Sequence, residues 1–426
     1  MCGAQFQKGM SIFMEGTQRL SARGQNILLA CLQCFYWSSS ALYFGYLVMY
    51  LTEKGYSEFY CGLAQTVIAI LIMVAQPLVG YITDTFIPYK KFILGGMGLA
   101  ILTTYLLPAT WAVFPVALLC MLLQALTVQT ASPVIDSWTI ALRRKCPGIS
   151  FGLTRSCGSV GFAVSSLIIG SIIAKLGVDV IFPGHILMLV LMLAVAVFLP
   201  NIPCKNRNAR PEEPQPEASK RLSTLQAAKV LFTNRAYVIF LCSTLFMNLT
   251  CRSYGTFAAL IVADLGGDAA VLGIAMFCAA FFEFPAMIVT TRLLTHRGWQ
   301  VEYLYLLSVS LMFVRGFLQI FITQFWQYIL LQALQGISYG MLLALVVEYI
   351  AKLIPEQINS TAMSVYMATI AGLGSIFGCF LGGWIMEQFQ LSVYYWVMAL
   401  SALLGAVIFL PNVLAVRRER LRDSQN

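Results

Sequence analysis

Leu122-Leu123-Gln124-Ala125-Leu126 and Leu330-Leu331-Gln332-Ala333-Leu334 are the same five residues, met twice in a chain of 426. Each copy lies in a long apolar run, and the surroundings repeat in step. Tyr43 to Gly62 resembles Tyr254 to Gly273 in similar register. Gln76-Pro77-Leu78-Val79 is echoed by Phe284-Pro285-Ala286-Met287. At nearly one offset, these weak matches together indicate a duplicated unit.

Runs of about 20 apolar residues, enough to cross a bilayer, fall near 25–51, 58–83, 91–109, 114–142, 150–174, 184–200, 236–262, 270–291, 302–322, 326–351, 361–386 and 392–415. The expected fold is all-α, with twelve transmembrane helices in two pseudo-symmetric six-helix bundles around a central cavity. Composition agrees: 59% of residues are hydrophobic and 11% charged, against about 25% charged in a soluble domain. The hydrophilic stretch 201–234 holds Pro203, Pro211, Pro214 and Pro216 and reads as a linker. The chain then divides into a cytoplasmic amino-terminal segment (1–24), a first bundle (25–200), the linker (201–234), a second bundle (235–416) and a tail (417–426).

Charge gives the orientation. Of the 27 Lys and Arg residues, Lys54 and Lys175 alone fall in loops on one side. Arg155, Arg252 and Arg315 fall within spans, and all the others lie on the side of the two termini. That asymmetry places both termini in the cytoplasm and the protein in the cell membrane. The polar first 24 residues do not read as a cleavable signal. The net charge of +9 is thus an orientation signal, and no nucleic-acid partner is expected. Cys31, Cys34, Cys120, Cys278 and Cys379 sit in apolar runs, where Cys behaves as a small hydrophobe. Cys31-x-x-Cys34 is therefore read as packing rather than redox chemistry. Asn248-Leu249-Thr250 and Asn359-Ser360-Thr361 match a glycosylation pattern but lie in a span and at a cytoplasmic edge. No protease-type or cofactor-binding motif is present, so neither an enzyme nor a cofactor is expected.

Ionisable groups inside spans are costly and mark function or structural pairs. Here they are Asp136, Arg155, Arg252, Glu283 and Arg315. The hairpin after Asp136 brings Arg155 back to similar depth, either as an ion pair joining two spans or as a clamp on substrate hydroxyls or carboxylates. Glu283 and Arg315 form a second mid-span combination; Arg252 has no evident partner beyond Glu283 and is read either as a substrate contact that attracts an anionic solute or as sharing Glu283 with Arg315. Apolar neighbours disfavour the ionised form of Glu283 and an approaching Arg favours it, which suits a proton-coupling group; a fixed ion pair is the competing reading. Tyr36, Ser40, Tyr43 and Tyr50 form a stripe at helical spacing, suited to stacking on sugars or bases, or to helix packing. Glycines in 158–170 and 372–383 let helices approach closely.

These features resemble the major facilitator superfamily, and more narrowly the group that holds lactose permease, nucleoside–proton symporters and a phenylpropionate permease. Gln76 through Asp84, followed by Lys90-Lys91, resembles the superfamily's loop 2–3 motif. The resemblance implies that Gly80, Asp84, Lys90 and Lys91 belong to a cytoplasmic gate, although the loop departs from the common spacing. Pro133-Val134-Ile135-Asp136 with Phe151 through Phe162 is more specific, and implies that Asp136 and Arg155 grip substrate while Phe162 stacks on it. Leu331 through Gly340 resembles span 10 of the group. Gln335 and Ser338 stand there where relatives carry a His or a His-x-x-Glu relay, so the usual proton relay is missing at that position; Gln335 is a candidate substrate contact. Proton coupling then falls to Asp136 or Glu283, with Arg315 as partner. The leading expectation is a monomeric, proton-coupled symporter of a sugar, oligosaccharide or nucleoside. An exporter of amphipathic compounds, an aromatic-acid permease and a transporter-like receptor are the alternatives.

Overall fold

The computed structural model describes residues 21–202, 224–355 and 358–423. Most of the amino-terminal segment 1–24 and of the linker 201–234, together with residues 424–426, lies outside them. Among the described residues, twelve helices are long and apolar enough to span a bilayer: α1 Ala22–Glu53, α2 Glu58–Thr85, α3 Tyr89–Thr110, α4 Phe114–Lys145, α5 Phe151–Leu176, α6 Val178–Phe198, α7 Arg235–Thr256, α8 Ala269–Arg297, α9 Val301–Gln319, α10 Phe325–Leu353, α11 Thr361–Gln388 and α12 Leu391–Arg422. Helix is the solution lipid imposes, because each backbone donor must find its acceptor within the segment.

Local chemistry sets the ends. Ser21, Ser150, Asn234 and Asp268 cap the starts of α1, α5, α7 and α8, each side-chain oxygen accepting from a backbone N–H three residues on. Gly298 closes α8 with φ +59°, the left-handed conformation a glycine adopts without strain. Two helices are interrupted, α1 by a turn at 45–46 and α4 by one at 129–130. In α11 a π-helical turn runs from Ala368 to Gly374.

Sidedness is clearest in α12. Val393, Trp396, Leu400, Leu404, Val407, Leu410 and Leu414 recur at three- and four-residue spacing and are exposed, the pattern of a lipid-facing stripe. Tyr394, Met398, Ala402 and Phe409 on the other face are buried.

The described residues form two compact units. One comprises residues up to Leu47 together with those from Leu71 to the linker; the other comprises Val48–Ile70 and the residues after the linker. The helix pairing repeats between them: α1 packs on α5 and α6 as α7 packs on α11 and α12, and α3 packs on α4 and α6 as α9 packs on α10 and α12. The duplication is thus present in the packing as well as in the residues. Residues 48–70 join the second unit through close contact. Gly62 lies so near α11 that a Cβ would approach the Cys379 carbonyl to 2.5 Å and the Gly383 Cα to 3.0 Å. Glu387 Oε2 accepts from the Ser57 hydroxyl at 2.6 Å and from the Phe59 N–H at 2.9 Å.

The tightest seam is α8 against α10. A Cβ on Gly336 or Gly340 would run into the backbone carbonyl of Ala279 or of Glu283. Gly340→Val should therefore cost about 3 kcal/mol or more by overpacking. It should lower Tm and membrane abundance, whereas Gly95→Ala, with open space around it, should leave both unchanged. Equal thermal unfolding curves for Gly340→Val and wild type would contradict that seam.

Candidate functional site

In the first unit, glycines set the stage. At Gly158 a Cβ would strike the Trp37 indole, and at Gly161 it would approach the Cys34 carbonyl to 2.7 Å. The α5 backbone therefore sits directly against α1, and Trp37 fills the groove that Gly158 leaves. This places three side chains around one indole. Arg155 of α5 lies over its ring at 4.4 Å. Its Nε1–H donates to Gln33 Oε1 at 3.2 Å. Phe162 meets it edge-on at 6.4 Å. The Gln33 amide in turn donates to Asp136 Oδ1 of α4 at 2.8 Å.

Asp136, Gln33, Trp37 and Arg155 thus form a chain across α4, α1 and α5. Asp136 and Arg155 lie within electrostatic reach but do not form a direct ion pair. Both keep partial solvent access, so each has lone pairs or N–H groups left for a ligand. The chemistry offered is a carboxylate acceptor, a guanidinium donor and an indole with a neighbouring phenyl ring. That set can bind hydroxyl groups and cover an apolar ring face.

Gln33 and Trp37 were not singled out by the sequence, because each looks like packing in an apolar run. Tyr36 and Tyr43 were, yet they are 4% and 0% exposed, and their stripe faces the interior of the unit. Beneath them, His185 of α6 is fully buried. Its Nδ1 lies 2.8 Å from the Ser39 carbonyl and its Nε2 lies 3.0 Å from the amide nitrogen of Gln124. The tautomer that satisfies both is neutral, donating from Nδ1 and accepting at Nε2. His185 pins α1, α4 and α6 together, with the Gln of the repeated pentapeptide as one of its partners.

Elsewhere in the same unit, the residues expected to form a cytoplasmic gate each have their own setting. Asp84 accepts from the Tyr89 hydroxyl at 2.6 Å. Lys90 donates to the carbonyls of Val197 and Leu199, at 2.6 and 2.9 Å, and so caps α6. Lys91 is exposed, and Gly80 has open space where a side chain would be.

In the second unit Arg252 keeps an accessible side chain, with Cys251, Tyr339, Tyr366 and Cys379 around it. Gln335 is half-buried and its amide oxygen has no hydrogen-bond partner. Glu283 is half-buried between exposed phenylalanines 281, 282 and 284. Cys251 lies within electrostatic reach of Arg252, Arg315 and Glu283 together. Arg315, expected beside Glu283, is fully buried, and its guanidinium carbon lies 3.7 Å from the Tyr254 ring centre and 5.8 Å from that of Tyr328. None of its three nitrogens makes a hydrogen bond. A cation over an aromatic face gains about 0.5–2 kcal/mol, less than the several kcal/mol it costs to desolvate the ion.

A model of the MFS_1 like family matches residues 27–397. The chain is 28% identical over 381 residues to the maltose permease of Geobacillus stearothermophilus, covering 88% of this chain and 91% of that one. It is 22% identical over 365 residues to the uncharacterized transporter YwbF of Bacillus subtilis, covering 84% and 86%. The crystal structure of the nucleoside transporter NupG superposes with a TM-score of 0.74 at 15% identity, over 91% of this chain and 98% of that one. That likeness is one of fold.

Proposed function

Since the chain belongs to the MFS_1 like family of transporters, we propose that it carries a small polyhydroxylated solute, a sugar or oligosaccharide or else a nucleoside, by proton-coupled symport with alternating access. The observation that carries this reading is the chain Asp136–Gln33–Trp37–Arg155. Sugars present hydroxyls that donate to a carboxylate and accept from a guanidinium, and an apolar ring face that suits an indole. Nucleosides present ribose hydroxyls and a flat base, and the same groups suit them. The 28% identical relative named as a maltose permease supports the sugar first.

Asp136, Arg155 and Phe162 are the proposed first-unit contacts, with Trp37 added from the structure. Tyr36 and Tyr43 back them from the interior. Arg252 and Gln335 are the proposed second-unit contacts. Gly80, Asp84, Lys90 and Lys91 are the proposed cytoplasmic gate, and the lysine and arginine asymmetry supports placing both termini in the cytoplasm. A monomer, organised as a bundle on each side of the 201–234 linker, is the proposed working unit.

The test is a thermal-shift screen of maltose, longer maltooligosaccharides and uridine on the purified protein, followed by counterflow in proteoliposomes with the best binder. Saturable counterflow of a sugar is expected, and a carboxyl-terminal tag should stay protected from external protease in intact cells. Binding without counterflow for every solute would point to a receptor and overturn the transport reading.

A further inference from the structure

The end of the second unit where α9 stops and α10 begins encloses a group of polar side chains with few partners. Arg315 and Gln319 lie one turn apart on α9, and both are fully buried. All three guanidinium nitrogens and both amide atoms of Gln319 lack hydrogen bonds, as do the hydroxyls of Tyr254, Tyr328 and Tyr395. The group is contiguous. The Tyr254 and Tyr328 hydroxyls approach the guanidinium without reaching hydrogen-bond geometry. The Tyr395 hydroxyl approaches Gln319 in the same way, and Tyr395 lies within electrostatic reach of Tyr254 and Tyr328. Tyr394 beside them is bonded to Ser253 at 3.0 Å and is not part of the shell.

The free donors in this shell outnumber its free acceptors, which are the Gln319 amide oxygen and the three phenol oxygens. Arg315 brings five N–H groups, the three phenols one O–H each and Gln319 an amide NH2. Two carboxylates stand nearby, and neither bonds Arg315. Asp264 is exposed and faces Tyr395. Glu283 lies on the Cys251 side. The Arg315 guanidinium is a buried cation among neutral polar groups with its hydrogens unmet, and a single anion would pair with the charge and accept from those donors together.

We propose that this shell binds a small inorganic anion of the halide type, chloride in physiological media, coordinated by Arg315, Gln319, Tyr254 and Tyr328. The burial of all four of these side chains favours a compact ion over a substrate carboxylate or phosphate. The helices involved, α7, α9, α10 and α12, meet at the end of the unit opposite the carboxyl-terminal tail. Entry is therefore from the compartment that the α9–α10 loop faces. The bound ion joins the ends of these helices, so its effect is on stability and does not depend on which solute is carried.

The experiment compares thermal unfolding of the purified full-length protein in sodium chloride and in sodium gluconate at equal ionic strength. Chloride should raise Tm saturably by about 3–5 °C, and bromide should substitute for it. Tyr328→Phe should raise the half-saturating chloride concentration by about tenfold, the loss of one hydrogen bond to a charged group. Arg315→Met should abolish the response. Crystals grown in bromide should show an anomalous peak beside Arg315. Equal wild-type Tm in the two salts, or an unchanged chloride response in Arg315→Met, would overturn the proposal. Should Arg315→Met fail to accumulate, an unshifted half-saturation in Tyr328→Phe together with no anomalous peak overturns it equally.

Discussion

Asp136→Asn and Arg155→Gln should each lower counterflow at subsaturating solute by about a hundredfold while reaching the membrane at wild-type abundance. The size follows from the contacts removed. A hydrogen bond to a charged group is worth about 1.5–3 kcal/mol, and each of these groups retains enough partial exposure to make one or two with a bound hydroxylated solute. Folding is expected to survive for a specific reason. Asn at 136 can still accept from the Gln33 amide, now at 2.8 Å from Oδ1, so the link between α1 and α4 is kept and the charge alone is lost. Glutamine at 155 gives up the guanidinium that lies 4.4 Å from the Trp37 ring, but the indole keeps its hydrogen bond to Gln33. Trp37→Phe should give a milder defect, mostly in KM, because the stacking face remains while the bond to Gln33 goes. Wild-type affinity in both charge variants at normal abundance would remove the clamp from the mechanism. Low abundance in both would instead assign the pair a structural role.

The twelve spans and the duplicated pattern were legible because lipid leaves so few solutions: length, hydropathy and the place of the basic residues speak independently. The site was legible only in part. Asp136 and Arg155 stood out because charges inside a span are rare, and a hairpin fixes their depth. Depth does not fix rotation, so nothing in the sequence could show an indole and an amide standing between them. Gly158 read correctly as a site of close approach, but its partner, Trp37, lies on another helix. The Tyr36–Tyr43 stripe has true helical spacing; periodicity finds a face without saying whether it meets solvent or core, and here it meets His185. Arg315 invited a carboxylate partner by charge counting; it lies against two tyrosine rings, which charge counting does not show, and makes no hydrogen bond. Chain order likewise could not show that Val48–Ile70 pack with the later helices, since that depends on glycine contacts across more than 300 residues, of the kind made by Gly62 and Gly383.

Glu283→Gln should abolish solute accumulation driven by a pH gradient and leave counterflow within about twofold of wild type. Proton coupling requires a group that is neutral in one state and charged in another. Arg252 and Arg315 cannot serve, because a guanidinium holds its proton throughout the accessible range. His185 is engaged at both ring nitrogens in the interior of the first unit, where a second proton would displace the Gln124 amide. Asp136 is bonded to Gln33 and within reach of Arg155, and is assigned above to holding the solute. Glu283 differs in its setting. Its backbone is held in place against Gly340, its side chain is half-buried beside Phe281, Phe282 and Phe284, and Arg315 gives it no hydrogen bond. Apolar neighbours favour the neutral acid, and the approach of Arg252 or Arg315 in another conformation would favour the anion. One proton could then load and leave once per cycle. Glutamine mimics the neutral acid in size and hydrogen bonding, so exchange of solute without net proton movement should persist. Accumulation should fall to the level set by equilibration alone. Undiminished gradient-driven accumulation in Glu283→Gln, measured at matched protein density in proteoliposomes, would take the coupling role away from this residue. Loss of counterflow together with accumulation would make it a substrate or structural group instead.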